Sequence, residues 1–130
     1  MNVAYLCIGI LALMTVLLGF GVSMQRRGSR TGIGHGDDPT SALLKFGRAH
    51  GNSAEYVPLF IALIFILEML GGGMLAHIAT VGATISRIVF VIGMLSSQTL
   101  AGPNLLRFIG ALGTYIFGTM LAVLVLLLAF

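Results

Sequence analysis

Residues 45–70 read KFGRAHGNSAEYVPLFIALIFILEML. From Ala54 onward the run is overwhelmingly apolar and long enough, with its lead-in, to cross a bilayer. Its first half instead carries Lys45, Arg48, His50, Asn52, Glu55 and Tyr56. Polar groups held against apolar surroundings are costly unless they bind one another or a ligand. The stretch therefore reads as a helix, amphipathic to about Ser53 and buried beyond it, with a polar mouth that raises the question of function. Pro58 lies inside it, so a local kink is expected.

The rest of the chain agrees with a membrane reading. Of its 130 residues 58% are hydrophobic and only 8% are charged, with a mean hydropathy of +1.06. A soluble domain carries about 25% charged residues. Met1–Gln25, Ile88–Leu106 and Phe108–Phe130 hold no charge at all. The sequence predicts an all-α integral membrane protein, a four-transmembrane-helix bundle in one domain spanning 1–130. The expected helices cover about 3–25, 40–70, 75–97 and 105–129. The first run lacks a basic start and a small-x-small cleavage site, and is read as a retained helix. Cys7 is the lone cysteine, so no internal disulfide forms.

The net charge of +3 comes from a basic cluster between Arg26 and Arg48. With so little polar surface, nucleic acid is a poor explanation; orientation in the membrane is a better one. Arg26, Arg27, Arg30 and Lys45 fall in or beside the first loop, Arg107 opens the fourth helix, and the second loop has no Lys or Arg. By the positive-inside rule the first and third loops face the cytoplasm and both termini face outward. Gly110, Thr114 and Gly118 are spaced by four on the last helix, and Gly82 and Ser86 on the third, which permits close helix contact. Four helices of this length bury only a thin core, so an oligomer is expected, with any site between subunits.

Arg48, Asn52 and Glu55 stand at i, i+4 and i+7 and fall within about 60° of one another on a helix. Lys45 and Tyr56 flank that face, and His50 points away. A guanidinium fork suits a carboxylate, Glu55 an ammonium and Asn52 a peptide bond. A small zwitterionic peptide fits the set. The same residues could equally stitch helices together. Arg87, in the middle of the third helix, needs a partner; Glu55 is the first candidate by depth and Asn52 the second. That contact could order the bundle or bring Arg87 to the pocket. His35, His50 and His77 share no ligand spacing, so no metal site is expected. No phosphate loop or dinucleotide fingerprint occurs. Glu68 is expected to reach toward water.

The run Arg48-Ala-His50-Gly-Asn52-Ser-Ala-Glu55-Tyr56-Val-Pro58 resembles the second-helix signature of the MAPEG superfamily, the membrane-associated proteins of eicosanoid and glutathione metabolism. The resemblance extends over the whole chain and looks bacterial. It implies a homotrimer of four-helix bundles in the bacterial inner membrane. Glutathione would be co-substrate, held between subunits near the cytoplasmic side. Arg48, Asn52, Glu55 and Tyr56 match positions that hold the tripeptide; Arg26 and Arg27 match a basic pair ending the first helix; Arg87 matches an arginine of the third. The implied activity is a glutathione transferase or peroxidase acting on lipophilic electrophiles or hydroperoxides, with membrane lipid around it. The sequence departs from the leukotriene-C-synthase type of member, which has a thiolate-stabilising arginine near the cytoplasmic end of the third helix. Leu95–Ala101 contains none, and Phe90 and Met94 replace tyrosines. Arg27 or Arg107 would then have to supply the charge, and Ser97 or Tyr56 a hydrogen bond. The alternative is a non-catalytic membrane ligand-binding or scaffold protein of the same family.

Overall fold

The computed structural model describes residues 2–130. It contains four helices: α1 (Val3–Ser29), α2 (Ala42–Met69), α3 (Gly73–Ser96) and α4 (Leu105–Leu127). All four are long and apolar enough to span a membrane. The shortest, α4, has 23 residues and is about 35 Å long at 1.5 Å per residue, against a hydrocarbon core of about 30 Å. The chain is an integral membrane protein, and no strand occurs among the described residues.

Local chemistry sets the helix ends. Asn2, Ser41 and Asn104 are N-caps whose side chains accept from the backbone N–H groups of Tyr5, Leu44 and Arg107, satisfying donors with no intrahelical partner. α1 runs past Gln25 to Ser29. Arg26 and Arg27 lie in its last turn, where cations favour the negative end of the helix dipole. Arg30 closes it in a left-handed conformation (φ 54°), and the Thr31 N–H returns to the Arg26 carbonyl at 3.0 Å. Gly71 (φ 72°) and Gly73 (φ 71°) make the tight α2–α3 turn, which side chains with a Cβ resist. α2 passes Pro58 without interruption.

The bundle is organised around α3, half of whose span is buried against 17% of α4's. One apolar cluster joins Leu11, Phe60, Ile64, Leu67, Ala79 and Leu121; a second joins Leu18, Ala49, Val91 and Met94. α3 and α4 approach at glycines. A Cβ on Gly110 would collide with the Phe90 backbone, and one on Gly93 with the Arg107 backbone. Ser86 packs over Gly113, and Phe117 over Gly82, so the small residues expected to permit contact do so inside the chain. Outward faces of α1 and α4 stay apolar and exposed, among them Leu13, Val16, Phe20, Phe108, Ile116 and Leu126. In a bilayer, lipid tails or neighbouring chains cover such surface.

The two ends of the bundle differ. At one, the Leu100 N–H bonds the Pro39 carbonyl at 2.8 Å, tying the α3–α4 turn to the α1–α2 loop. Every Lys and Arg except Arg87 sits in or near these segments. At the other, Glu68 accepts from Asn2 Nδ2 at 2.6 Å and faces His77 Nε2 at 3.6 Å. Glu68 therefore does not simply reach for water: it ties the start of α1 to α2 and α3.

Candidate functional site

At the basic end, α2, α3 and α4 enclose a partly open cavity of about 370 Å³, within the range of small-molecule sites of about 300–1,000 Å³. α2 contributes Arg48, Asn52 and Glu55, about one helical turn apart, together with Gly47 and Gly51. α3 contributes Phe90 and Met94, the α3–α4 turn Leu100, and α4 Arg107. A Cβ added at Gly51 would meet nothing within 4 Å, so this part of α2 offers bare backbone to the space.

The three α2 side chains expected to share a face line one cavity. Arg48 and Glu55 are exposed, and neither takes part in an ion pair among the described residues. They do not stitch helices within the chain through such pairs, and both charges are available to a ligand. Asn52 is half-buried because α3 holds it. Arg87, only 1% exposed, donates from one terminal nitrogen to Asn52 Oδ1 at 2.8 Å and from the other to Ser53 Oγ at 3.1 Å. Its guanidinium carbon lies 4.8 Å from the Phe90 ring centroid and 5.4 Å from that of Tyr56, a cation–π arrangement.

One expected pairing needs correction. Glu55 is not the partner of Arg87: the two terminal guanidinium nitrogens donate to Asn52, the second candidate, and to Ser53. Arg87 itself does not line the cavity; it stands behind Asn52. Tyr56 is turned off the cavity, its ring 6.2 Å from Phe60 and 6.1 Å from Tyr115, because one residue beyond Glu55 the helix has rotated by about 100°. Arg26 and Arg27 lie outside the lining as well. Arg26 Nε donates to the Gly34 carbonyl at 3.3 Å and pins the first loop, while Arg27 is exposed at the end of α1. Ser97 is buried, and its hydroxyl donates to the Gly93 carbonyl at 2.6 Å, so that proton is committed. Of the two cations considered for a thiolate, Arg107 alone borders the cavity. The α3–α4 turn holds it, through the Leu100 carbonyl at 3.2 Å and the Gly102 carbonyl at 2.6 Å.

The remaining polar groups have local roles. His50 packs beside Gly19 of α1, away from the cavity. His35, flanked by Gly34 (φ 81°) and Gly36 (φ 68°), lays its ring over Gly47. Asp38 accepts from the Thr40 hydroxyl at 2.7 Å and the Thr40 N–H at 2.9 Å, which holds its carboxyl below the usual range. No metal-binding group of three His, Cys, Asp or Glu occurs among the described residues. Ser53 is the contributor that sequence reasoning missed. A signal existed: it interrupts the buried stripe Ala49, Val57, Phe60 and Ile64 at helical spacing, and a polar residue there needs a partner.

Residues 4–127 match the model of the MAPEG family. The chain belongs to the MAPEG family. The match spans nearly the whole molecule, so the resemblance carried by Arg48–Pro58 holds for the fold around it. The family includes glutathione transferases and peroxidases as well as non-catalytic members. No curated protein matches this MAPEG chain.

Proposed function

We propose that this MAPEG protein binds glutathione in the α2–α3–α4 cavity and is a glutathione transferase or peroxidase acting on lipophilic electrophiles or hydroperoxides. One observation carries the reading: Arg48, Asn52, Glu55 and Arg107 converge on one cavity of about 370 Å³, with Arg48 and Glu55 free of ion pairs among the described residues. Arg48 takes a carboxylate of the tripeptide through its planar fork. Glu55 takes the ammonium, and Asn52 a peptide group. The open side is where an adjacent subunit of a homotrimer would complete the site.

The thiol of glutathione supplies the nucleophile. A free thiol has a pKa of about 8.5, which nearby cations lower; Arg107 is the cation of this chain placed to do so. The bilayer concentrates an apolar partner beside the sulfur, and proximity provides the larger share of the rate. The first and third loops and the cavity face the cytoplasm, with both termini outside the inner membrane, as the charge asymmetry between the two ends supports.

A second reading has its own support. Arg107 is tethered by two turn carbonyls, and Leu95–Ala101 carries no arginine, so the protein would bind without activating. Ultraviolet difference spectroscopy separates the two. An enzyme develops a thiolate band when glutathione is added, and Arg107→Ala loses the band while still binding. Binding with no band in the wild type supports the non-catalytic protein.

A further inference from the structure

Arg87 is a buried cation whose terminal nitrogens are committed to two neutral acceptors, Asn52 Oδ1 and Ser53 Oγ. Its Nε has no partner among the described residues. Burying a guanidinium in this way is costly, and neither neutral acceptor offsets its charge. The consequence of the contact lies one residue away from it. A guanidinium only donates. Whatever carboxamide faces Arg87 must present oxygen to it, and its NH2 group is then directed elsewhere. For Asn52 the other available side is the cavity, which that residue lines.

We infer that Arg87 is a positioning residue that fixes the polarity of the Asn52 carboxamide, so that the cavity offers N–H donors there and selects ligands with a hydrogen-bond acceptor, a peptide carbonyl or carboxylate. The inference rests on the glutathione reading and adds to it the direction of one contact. Phe90 and Tyr56 pack against the guanidinium, their ring centroids 4.8 Å and 5.4 Å from its carbon, and restrict its movement. Ser53, fully buried, takes the second arm, so that Arg87 cannot swing away from Asn52 without leaving a buried hydroxyl unmatched.

The test is glutathione titration by calorimetry into detergent-solubilised wild type, Arg87→Lys and Asn52→Asp, with thermal midpoints measured without ligand. Lysine keeps the charge but replaces the planar two-nitrogen fork with a single, shorter-reaching nitrogen, and should weaken binding by about tenfold, the scale of one lost hydrogen bond. Asn52→Asp pairs a carboxylate with the buried cation and should raise the midpoint. It removes every donor from that point of the cavity, and should also weaken binding by about tenfold. Opposite movement of stability and affinity is something a purely structural Arg87 would not produce. Asn52→Asp binding as tightly as wild type overturns the inference, because the amide would then face the ligand with its oxygen. Unchanged affinity in Arg87→Lys overturns it too. Should Arg87→Lys fail to fold, Asn52→Asp decides alone. Failure of the wild type to bind removes the glutathione reading and this inference together; normal wild-type binding with unaffected variants removes only the inference.

Discussion

Arg48 and Arg27 show how position separates cations that look alike in composition. Both are exposed and both lie at the basic end, yet Arg48 borders the cavity and Arg27 stands on the last turn of α1 outside it. A carboxylate bound in the cavity meets the Arg48 fork. Arg48→Ala should therefore weaken glutathione binding by about tenfold or more, as for a hydrogen bond to a charged group, and Arg27→Ala should leave it unchanged, both read by calorimetric titration. At this scale the α2 face was legible because i, i+4, i+7 spacing survives any packing of the helix. The partner of Arg87 was legible only in part. Depth along a helix put Glu55 first and Asn52 second, but orientation chose Asn52 together with Ser53, and orientation depends on how α3 is rotated against α2.

Helix packing rests on close approach more than on propensity. The α3–α4 contact is the tightest example, with Gly110 against the Phe90 backbone and Gly93 against that of Arg107. Inserting a side chain there must push two backbones apart. Gly110→Leu should destabilise the bundle by about 1–3 kcal/mol, the usual cost of overpacking, measured by thermal unfolding in detergent. Gly28→Leu, where an added Cβ meets nothing within 4 Å, should be neutral. Because Phe90 and Arg107 also border the cavity, Gly110→Leu should weaken glutathione binding as well. Small residues at four-residue spacing announced a close contact in the sequence; which helix they touch depended on tertiary structure. Helix ends shifted for local reasons. Gly73, at positive φ, starts α3 ahead of the expected Leu75, and the arginines in the last turn carry α1 on to Ser29.

At the scale of the molecule, charge is sorted to one end and that end holds the cavity. Hydrogen bonding between Pro39 and Leu100 brings the basic first loop and the α3–α4 turn together, while Glu68, Asn2 and His77 close the other end. The proposed orientation predicts that a reporter fused after Phe130 is active only outside the cytoplasm; activity confined to the cytoplasm would reverse the topology. The membrane-spanning class was plain from hydropathy and the sparse charges, since the bilayer leaves few alternatives. A cavity built from three helices was not readable in the same way, because no single segment contains it. The most direct test of the account is the thermal midpoint of the purified wild type with and without glutathione, with free cysteine as the control. Preferential binding to the folded state gives about 2.7 kcal/mol of stabilisation at a ligand concentration a hundred times Kd. The account predicts a rise in midpoint with glutathione and none with cysteine; no rise with glutathione, or an equal rise with cysteine, would contradict it.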